Sequence, residues 1–286
     1  MYQFALIGYP IKHSLSPWIH RQFLHKGHLK GEYHLMELAE DQSLHKHLER
    51  LQEQSIHGFN VTVPYKQKII PYIDMLDEEA KVIGAVNTVL RENNKWKGFN
   101  TDGIGYVRSL EQAFPQLEAE REKVNVLILG AGGAARGIYY ALMNAGYLYI
   151  DIANRTPSHA KAIASLQKTG VKTRIKTLSE VEASLSKYKV IIQTTSVGMK
   201  PVTDQTIISL CNLTQESIVS DIVYQPIETK FLAEAKAKGA YVHYGHTMLL
   251  YQAQYAFEIW TNKRVPLDGM ADELKQILEG ESHVNW

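Results

Sequence analysis

The sequence predicts an α/β protein of two domains, with a doubly wound parallel sheet inserted into a mixed α/β domain that both ends of the chain build. Three observations predict it. Residues 124–129 are an apolar run, Val124, Val126, Leu127, Ile128 and Leu129 around a single Asn, which suits a strand buried on both faces; it breaks at Gly130 into GAGGAARG and reopens as a helix over 134–145. From there to residue 243 strands and helices alternate, the pattern of a parallel sheet covered on both faces. After Gly245 come two helices, 247–261 and 267–278, the first apolar over most of its surface. Such a helix must pack against a partner, and the N-terminal region is the one available. The expected division is therefore 1–102 with 245–286 as one domain and 103–244 as the other.

The elements follow in order. Residues 2–7 read as a strand, then GYPIKHSLSP as a loop punctuated by Gly8, Pro10 and Pro17, with Ser16 placed to cap a helix over 17–26. A strand over 33–38 precedes a polar helix over 40–54 whose Leu44, Leu48 and Leu51 recur at helical spacing. A strand over 57–61 enters the turn 62–64, and a short helix starts at Tyr65. Strands 85–90 and 95–99 flank Asn93 and Asn94 as a hairpin, and a helix spans 104–114. Residues 115–123, PQLEAEREK, are charged and apolar-poor and suit an exposed segment ahead of the 124–129 strand. Beyond it the alternation runs through strands 147–153, 172–177, 190–193, 217–223 and 240–243, with helices 158–167, 179–185 and 229–238 between them.

Composition narrows the function. With 31 basic and 30 acidic residues the formal net charge is +1, so there is no electrostatic case for nucleic acid or an anionic membrane surface. A small molecule is the expected partner. Cys211 is the only cysteine, which excludes an intrachain disulfide and a cysteine-rich zinc site and suits a reducing compartment. MYQFALIG reads as a strand rather than a signal peptide, and no apolar run is long enough to span a bilayer, so a cytoplasmic enzyme is expected. Among the 12 histidines, His25 and His28 are helix-spaced without a carboxylate or thiolate to complete a ligand set, and His45 and His47 point to different helix faces. No metal site is expected.

The glycine turn carries the first chemistry. Gly130 permits a tight turn, Gly132 lets a pyrophosphate approach the backbone, and Ala135 takes the third small position where helix and strand pack closely. The helix N-terminus then offers free amides and its positive dipole end to the phosphates. An NAD site of this fold ends its second strand in an acid that bonds the ribose 2′-hydroxyl. Here that strand ends Ile152, Ala153, Asn154, Arg155, Thr156, with a guanidinium where a 2′-phosphate would lie. A charge-assisted contact of this kind is worth on the order of 1.5–3 kcal/mol, or about ten- to a hundredfold in favour of NADP.

Further stretches stand in one order along almost the whole chain: HSLSP at 13–17, NVTVPYK at 60–66, GAVNT at 84–88, NTDG at 100–103, GAGGAAR at 130–136, NRT at 154–156, TSVGM at 195–199, DIVYQP at 221–226 and G-x-x-M-L-x-x-Q at 245–252. With these motifs the sequence closely resembles the shikimate dehydrogenases. The resemblance implies a substrate domain of 1–102 with 245–286, an NADP-binding Rossmann domain of 103–244, and reversible NADPH-dependent reduction of 3-dehydroshikimate to shikimate on the route to aromatic amino acids. It implies that Ser14 and Ser16 bond the substrate carboxylate, that Thr62, Asn87, Tyr224 and Gln252 make polar contacts to the substrate, and that Lys66 and Asp102 are a catalytic pair which also touches it. Hydride transfer to a ketone makes an alkoxide, and a lysine at that oxygen can stabilise and protonate it. On the cofactor side it implies Gly130, Ala131, Gly132, Gly133 and Ala134 at the pyrophosphate, Asn154, Arg155 and Thr156 at the adenosine phosphate, and Thr195, Ile222 and Gly245 near the nicotinamide. The sequence departs from the family at Gln193, Arg21 and Gln254, where the family has Asn, Asn and a small residue; Gln193 bears on the loop beside the nicotinamide.

Alternatives remain at this point. A quinate/shikimate dehydrogenase with relaxed cofactor use would share the motifs, although the acid-free 154–156 stretch argues against its NAD-linked form. A non-catalytic NADP or shikimate sensor on the same scaffold could have lost Lys66 or Asp102, and both are present. A dehydrogenase of folate intermediates shares the two-domain plan without needing HSLSP or NTDG. A homodimer is compatible with the chain.

Overall fold

The structure, a computed structural model, describes residues 1–39 and 41–280. Among the described residues the chain divides into two compact units, one of Met1–Asp102 and Gln252–Asp268, the other of Gly103–Tyr251 and 269–280.

The first unit contains β1 (Tyr2–Gly8), α1 (Ser16–Lys26), β2 (Gly31–Glu37), α2 (Leu44–Glu53), β3 (Gly58–Val61), α3 (Tyr65–Lys68), β4 (Met75–Leu76), α4 (Glu78–Ile83), β5 (Thr88–Glu92) and β6 (Lys95–Phe99). Its six-stranded sheet has the order β2-β1-β3-β5-β6-β4. The strands β2, β1 and β3 are parallel, whereas β3, β5 and β6 are antiparallel. The expected hairpin forms because Asn93 and Asn94 take φ of 51° and 62°, the left-handed pair that a two-residue turn between twisted strands requires. One face of the sheet buries Ala5, Ile7, Phe59, Val61 and Trp96 against Leu44, Leu48 and Leu51 of α2. On Phe4 lies the Trp260 ring, stacked with centroids 4.5 Å apart, and Trp260 Nε1 donates to the Val89 carbonyl at 2.9 Å. A Cβ on Gly58 would lie 2.4 Å from the Trp260 ring, so only glycine admits this indole.

The second unit contains α5 (Asp102–Ala113, its first residue belonging to the first unit), α6 (Gln116–Glu120), β7 (Asn125–Leu129), α7 (Gly133–Ala145), β8 (Tyr149–Ala153), α8 (Pro157–Ala164), β9 (Ile175–Lys176), α9 (Leu178–Glu182), β10 (Val190–Gln193), β11 (Ile218–Asp221), α10 (Lys230–Ala237) and β12 (Tyr241–Tyr244). α11 (Gly245–Thr261) begins in this unit and ends in the first, and α12 (Met270–Glu279) follows it. The sheet has the order β12-β11-β10-β7-β8-β9 with every adjacent pair parallel, the doubly wound order of a Rossmann-type fold.

The structure departs from the expected elements at several places. Residues 115–123 are not simply an exposed segment: Leu117 in α6 is fully buried, and Arg121 forks onto both Glu111 oxygens at 2.6 Å. One leucine and one bidentate pair suffice to fold the charged stretch back. The short elements β4 and α4 were not legible in the sequence; Asp77 caps α4 by accepting from Glu79 N, and Gly84 ends it in the left-handed conformation. Ser16 is the first residue of α1 rather than its cap, and its side chain is not used to close the helix. The last segment also divides differently from the expected 245–286. The start of α11 stays with the second unit, where Thr247 bonds the Tyr244 carbonyl, and α12 does too, its Lys275 ammonium 6.0 Å from the Tyr244 ring centre. Glu40, the expected first residue of the second helix, and residues 281–286 lie outside the described residues.

Candidate active site

Lys66 reaches its position through the turn that follows β3. The Tyr65 amide bonds the Thr62 carbonyl, and the Val86 amide bonds the Lys66 carbonyl, so α3 is pinned at both sides. Lys66 Nζ donates to Asp102 Oδ2 at 2.6 Å, with the two side chains 32% and 22% exposed. That partial exposure leaves the ammonium able to meet a ligand. Asp102 opens α5, where its amide donates to Asn100 Oδ1 at 3.2 Å while its carboxylate stands toward Lys66. Its other oxygen accepts from Asn87 Nδ2 at 2.8 Å. Asn87 is 3% exposed and is oriented in turn by Thr101, whose amide donates to Asn87 Oδ1 at 2.8 Å. A longer contact of 3.5 Å joins Thr101 Oγ1 to Gln252 Oε1 on α11. Lys66, Asp102, Asn87 and Gln252, far apart in the chain, are thus brought into one polar cluster of the first unit.

Thr62 lies at the end of β3, its amide on the Ile7 carbonyl and its methyl packed so closely on Gly8 that a Cβ there would come within 2.3 Å. Ser14, in the loop before α1, donates its Oγ–H to Ser16 Oγ on the first turn of that helix at 3.2 Å. Tyr33 on β2 donates its hydroxyl to Asn60 Oδ1 at 2.8 Å. Behind Tyr33 the His20 ring stacks at 4.5 Å, and burial pushes this imidazole down to about 3, so it stays neutral. Tyr224 belongs to the second unit and is half-exposed beside Ile222 and Thr195.

The nucleotide side is organised by register. Leu129, Ala153, Gln193, Asp221 and Tyr244 are neighbours across adjacent parallel strands, so Gly130, Asn154, Thr194, Ile222 and Gly245 all emerge at one carboxyl edge of the sheet. Ligands of this fold bind at that edge. Gly130 has φ +111°, and a Cβ there would strike Thr194 Oγ1 at 2.6 Å; both conditions require glycine. Gly132 and Gly133 open onto free space, and the α7 N-terminus, reached through Ala131 and continued by Ala134, has no side-chain cap. Its first amides are free for an anion. Past β8, Asn154 Nδ2 holds the Thr156 carbonyl at 2.8 Å, while the Thr156 side chain does not cap α8 and Arg155 is exposed. The acid of that strand, Asp151, is turned away: Arg174 grips it at 3.0 and 2.9 Å and Tyr188 at 2.7 Å. Open glycines, uncapped amides, a free guanidinium and no acid at the strand end fit a dinucleotide with a 2′-phosphate. A cavity of about 300 Å³ lies further along the edge, lined by Thr194, Thr195, Met199, Ile222, Val223 and Tyr224. Gly245 sits against this wall, where a Cβ would meet the Ile222 carbonyl oxygen at 2.5 Å.

Asn60, Asn100 and Thr101 were not expected at the site, although all three stand inside its sequence motifs. Their signal was an amide or hydroxyl one or two places from a selected residue. Asp221 was quoted only as the first letter of DIVYQP; it is fully buried and bonds Val223 N, Thr229 Oγ1 and Gln193 Nε2. Among the described residues no group of three or more His, Cys, Asp or Glu is placed to hold a metal ion.

A parallel sheet with an open glycine turn, joined to a unit carrying a lysine–aspartate pair, defines the class: a dinucleotide-dependent oxidoreductase of the α/β type. Known proteins bear this out. The chain matches the models of the shikimate dehydrogenase substrate binding domain over 6–89, shikimate / quinate 5-dehydrogenase over 111–231, and the shikimate 5′-dehydrogenase C-terminal domain over 245–275. It is 50% identical over 275 residues to the shikimate dehydrogenase (NADP(+)) of Oceanobacillus iheyensis, covering 96% of this chain and 98% of that one. Among solved structures it resembles shikimate dehydrogenase from Aquifex aeolicus, at 37% identity and a TM-score of 0.83 over 96% and 97% of the two chains. It is also similar to the Thermus thermophilus enzyme in complex with NADP(H) and shikimate, at 33% identity and a TM-score of 0.84 over 96% and 99%. The chain belongs to the shikimate dehydrogenase family.

Proposed function

We propose that this chain interconverts 3-dehydroshikimate and shikimate with NADP, in the shikimate pathway to aromatic amino acids. The observation that carries the assignment of roles is the Lys66–Asp102 pair, braced by Asn87 within a cluster rich in hydroxyl and amide groups. The bound nicotinamide supplies the hydride in reduction and takes it up in oxidation. As the substrate carbonyl carbon gains hydride, negative charge gathers on its oxygen, and the Lys66 ammonium stabilises that charge and gives it the proton. Asp102 keeps the lysine aimed, and Asn87 keeps Asp102 in place. Lys66 and Asp102 also contact the substrate hydroxyls together with Thr62, Asn87, Tyr224 and Gln252, and Ser14 and Ser16 take its carboxylate. Gly130, Ala131, Gly132, Gly133 and Ala134 hold the pyrophosphate, Asn154, Arg155 and Thr156 the adenosine phosphate, and Thr195, Ile222 and Gly245 the nicotinamide half. We assign substrate binding to 1–102 with the adjoining part of α11, and NADP binding to the inserted unit.

Among the described residues no helix is long and apolar enough to cross a membrane. A cytoplasmic location accords with the exposed, unpaired Cys211 thiol. The test is the initial rate of reduced-nicotinamide formation with shikimate and NADP, run beside NAD and beside quinate. A rate with NADP and shikimate far above the others is expected. Folded protein that binds NADP without turnover in any combination would overturn the assignment in favour of a sensor.

A further inference from the structure

Gln193 and Asp221 are the last residues of β10 and β11 and face each other in parallel register. They are 1% and 0% exposed. Gln193 is long enough to reach the loops that follow both strands. Its Nε2 spends both protons, on Asp221 Oδ1 at 3.2 Å and on the Val197 carbonyl at 3.0 Å, while its Oε1 accepts from the Thr195 amide. Asp221 Oδ1 also accepts from the Val223 amide at 2.9 Å, and Oδ2 from Thr229 Oγ1 at 2.7 Å. One buried amide and one buried carboxylate therefore tie two loops together. The first, after β10, carries Thr195 and Met199; the second, after β11, carries Ile222 and Tyr224. These loops are the two walls of the 300 Å³ cavity.

We propose that Gln193 and Asp221 form a clasp that sets the spacing of these walls and so positions the nicotinamide half of NADP. They are positioning residues, acting through backbone amides and carbonyls. The proposal rests on the NADP-dependent reading of the site. All of the clasp's donors to Asp221 are neutral, an arrangement that a purely structural tie would not need, since burying a carboxylate without a cation is costly. Burial raises the Asp221 carboxyl from 3.8 to about 6, so the carboxylate is the main form at neutral pH and is lost in mild acid. The titratable groups near it are Tyr106 of α5, and His243 of β12 through Ser220. Burial holds Tyr106 protonated and pushes His243 down to about 4, so neither gains charge while Asp221 does.

The test compares two ligands by isothermal titration. 2′,5′-ADP presents the adenosine and its 2′-phosphate but nothing to the cavity, whereas NADP presents both. Gln193→Met keeps the length and removes all the polar contacts; it should weaken NADP about tenfold and 2′,5′-ADP less than about twofold. Equal losses for the two ligands, or no loss for NADP, would overturn the clasp. A second measurement needs no variant. Between pH 7.5 and 5.5 the ratio of NADP to 2′-phospho-ADP-ribose affinity in the unmodified chain should fall at least about threefold, because the two ligands share the titrating 2′-phosphate and the non-titrating pyrophosphate and differ only in the nicotinamide. An unchanged ratio would also overturn it. NADP binding without turnover strikes only the enzymatic reading, whereas failure of the unmodified chain to bind NADP overturns both.

Discussion

Two aspartates in this chain occupy opposite physical regimes. Asp102 is 22% exposed and faces a cation, the Lys66 ammonium 2.6 Å away. Asp221 is fully buried and faces only neutral donors, a glutamine amide, a backbone amide and a threonine hydroxyl. A carboxylate that must hold a lysine in a reachable position stays near solvent, where the pair costs little desolvation. A carboxylate that fixes loops sits where each hydrogen bond is stronger and each unpaired atom dearer. The first region is built to act on a substrate, the second to hold a shape.

The largest expected effect would break the first half of that contrast. Lys66→Ala should lower kcat by about 10²- to 10⁴-fold while NADP affinity, measured by titration, stays within about twofold. Normal turnover would remove Lys66 from the proton transfer, and a matching loss of NADP affinity would show that the polar cluster also serves the cofactor. Next in size, Arg155→Ala should lower the preference for NADP over NAD by about ten- to a hundredfold in kcat/KM, with kcat at saturating NADP little changed. An unaltered preference would place 2′-phosphate recognition elsewhere.

The smallest effect sharpens the second half. The Asp221 carboxyl has a raised pKa in the folded protein, about 6 against 3.8. The folded state therefore binds more protons between those pH values, and stability falls as pH rises through that window. Comparing urea midpoints at pH 4.5 and 7.5, the unmodified chain should lose more on going to pH 7.5 than Asp221→Asn does. Parallel losses in the two proteins would mean that Asp221 is not carrying a buried charge.

Much of the architecture was legible because its signals are local. The apolar run of β7, the glycines after it, the Asn93–Asn94 hairpin and the alternation from β7 to β12 are patterns of period and turn chemistry, read within a dozen residues. The selected site residues could be listed because each lies in a short motif. Where the sequence falls short, the deciding contact is distant or the element too short to show a period: Leu117 buried beneath a charged stretch, α4 held by a single cap.

By itself, then, the sequence determined the order of the elements, the parallel sheet, the glycine turn and the absence of an acid after β8. Tertiary structure alone decided which side chains meet. Lys66 and Asp102 are 36 residues apart, and Gln193 and Asp221 are 28 apart. Whether Asp102 caps its helix or holds a lysine, and whether Gln193 is a solvated departure from the family or half of a buried clasp, depends on strand register and on backbone amides offered by other loops. A periodicity is encoded in neighbours along the chain, but a hydrogen bond between strand ends exists only once the sheet has been assembled.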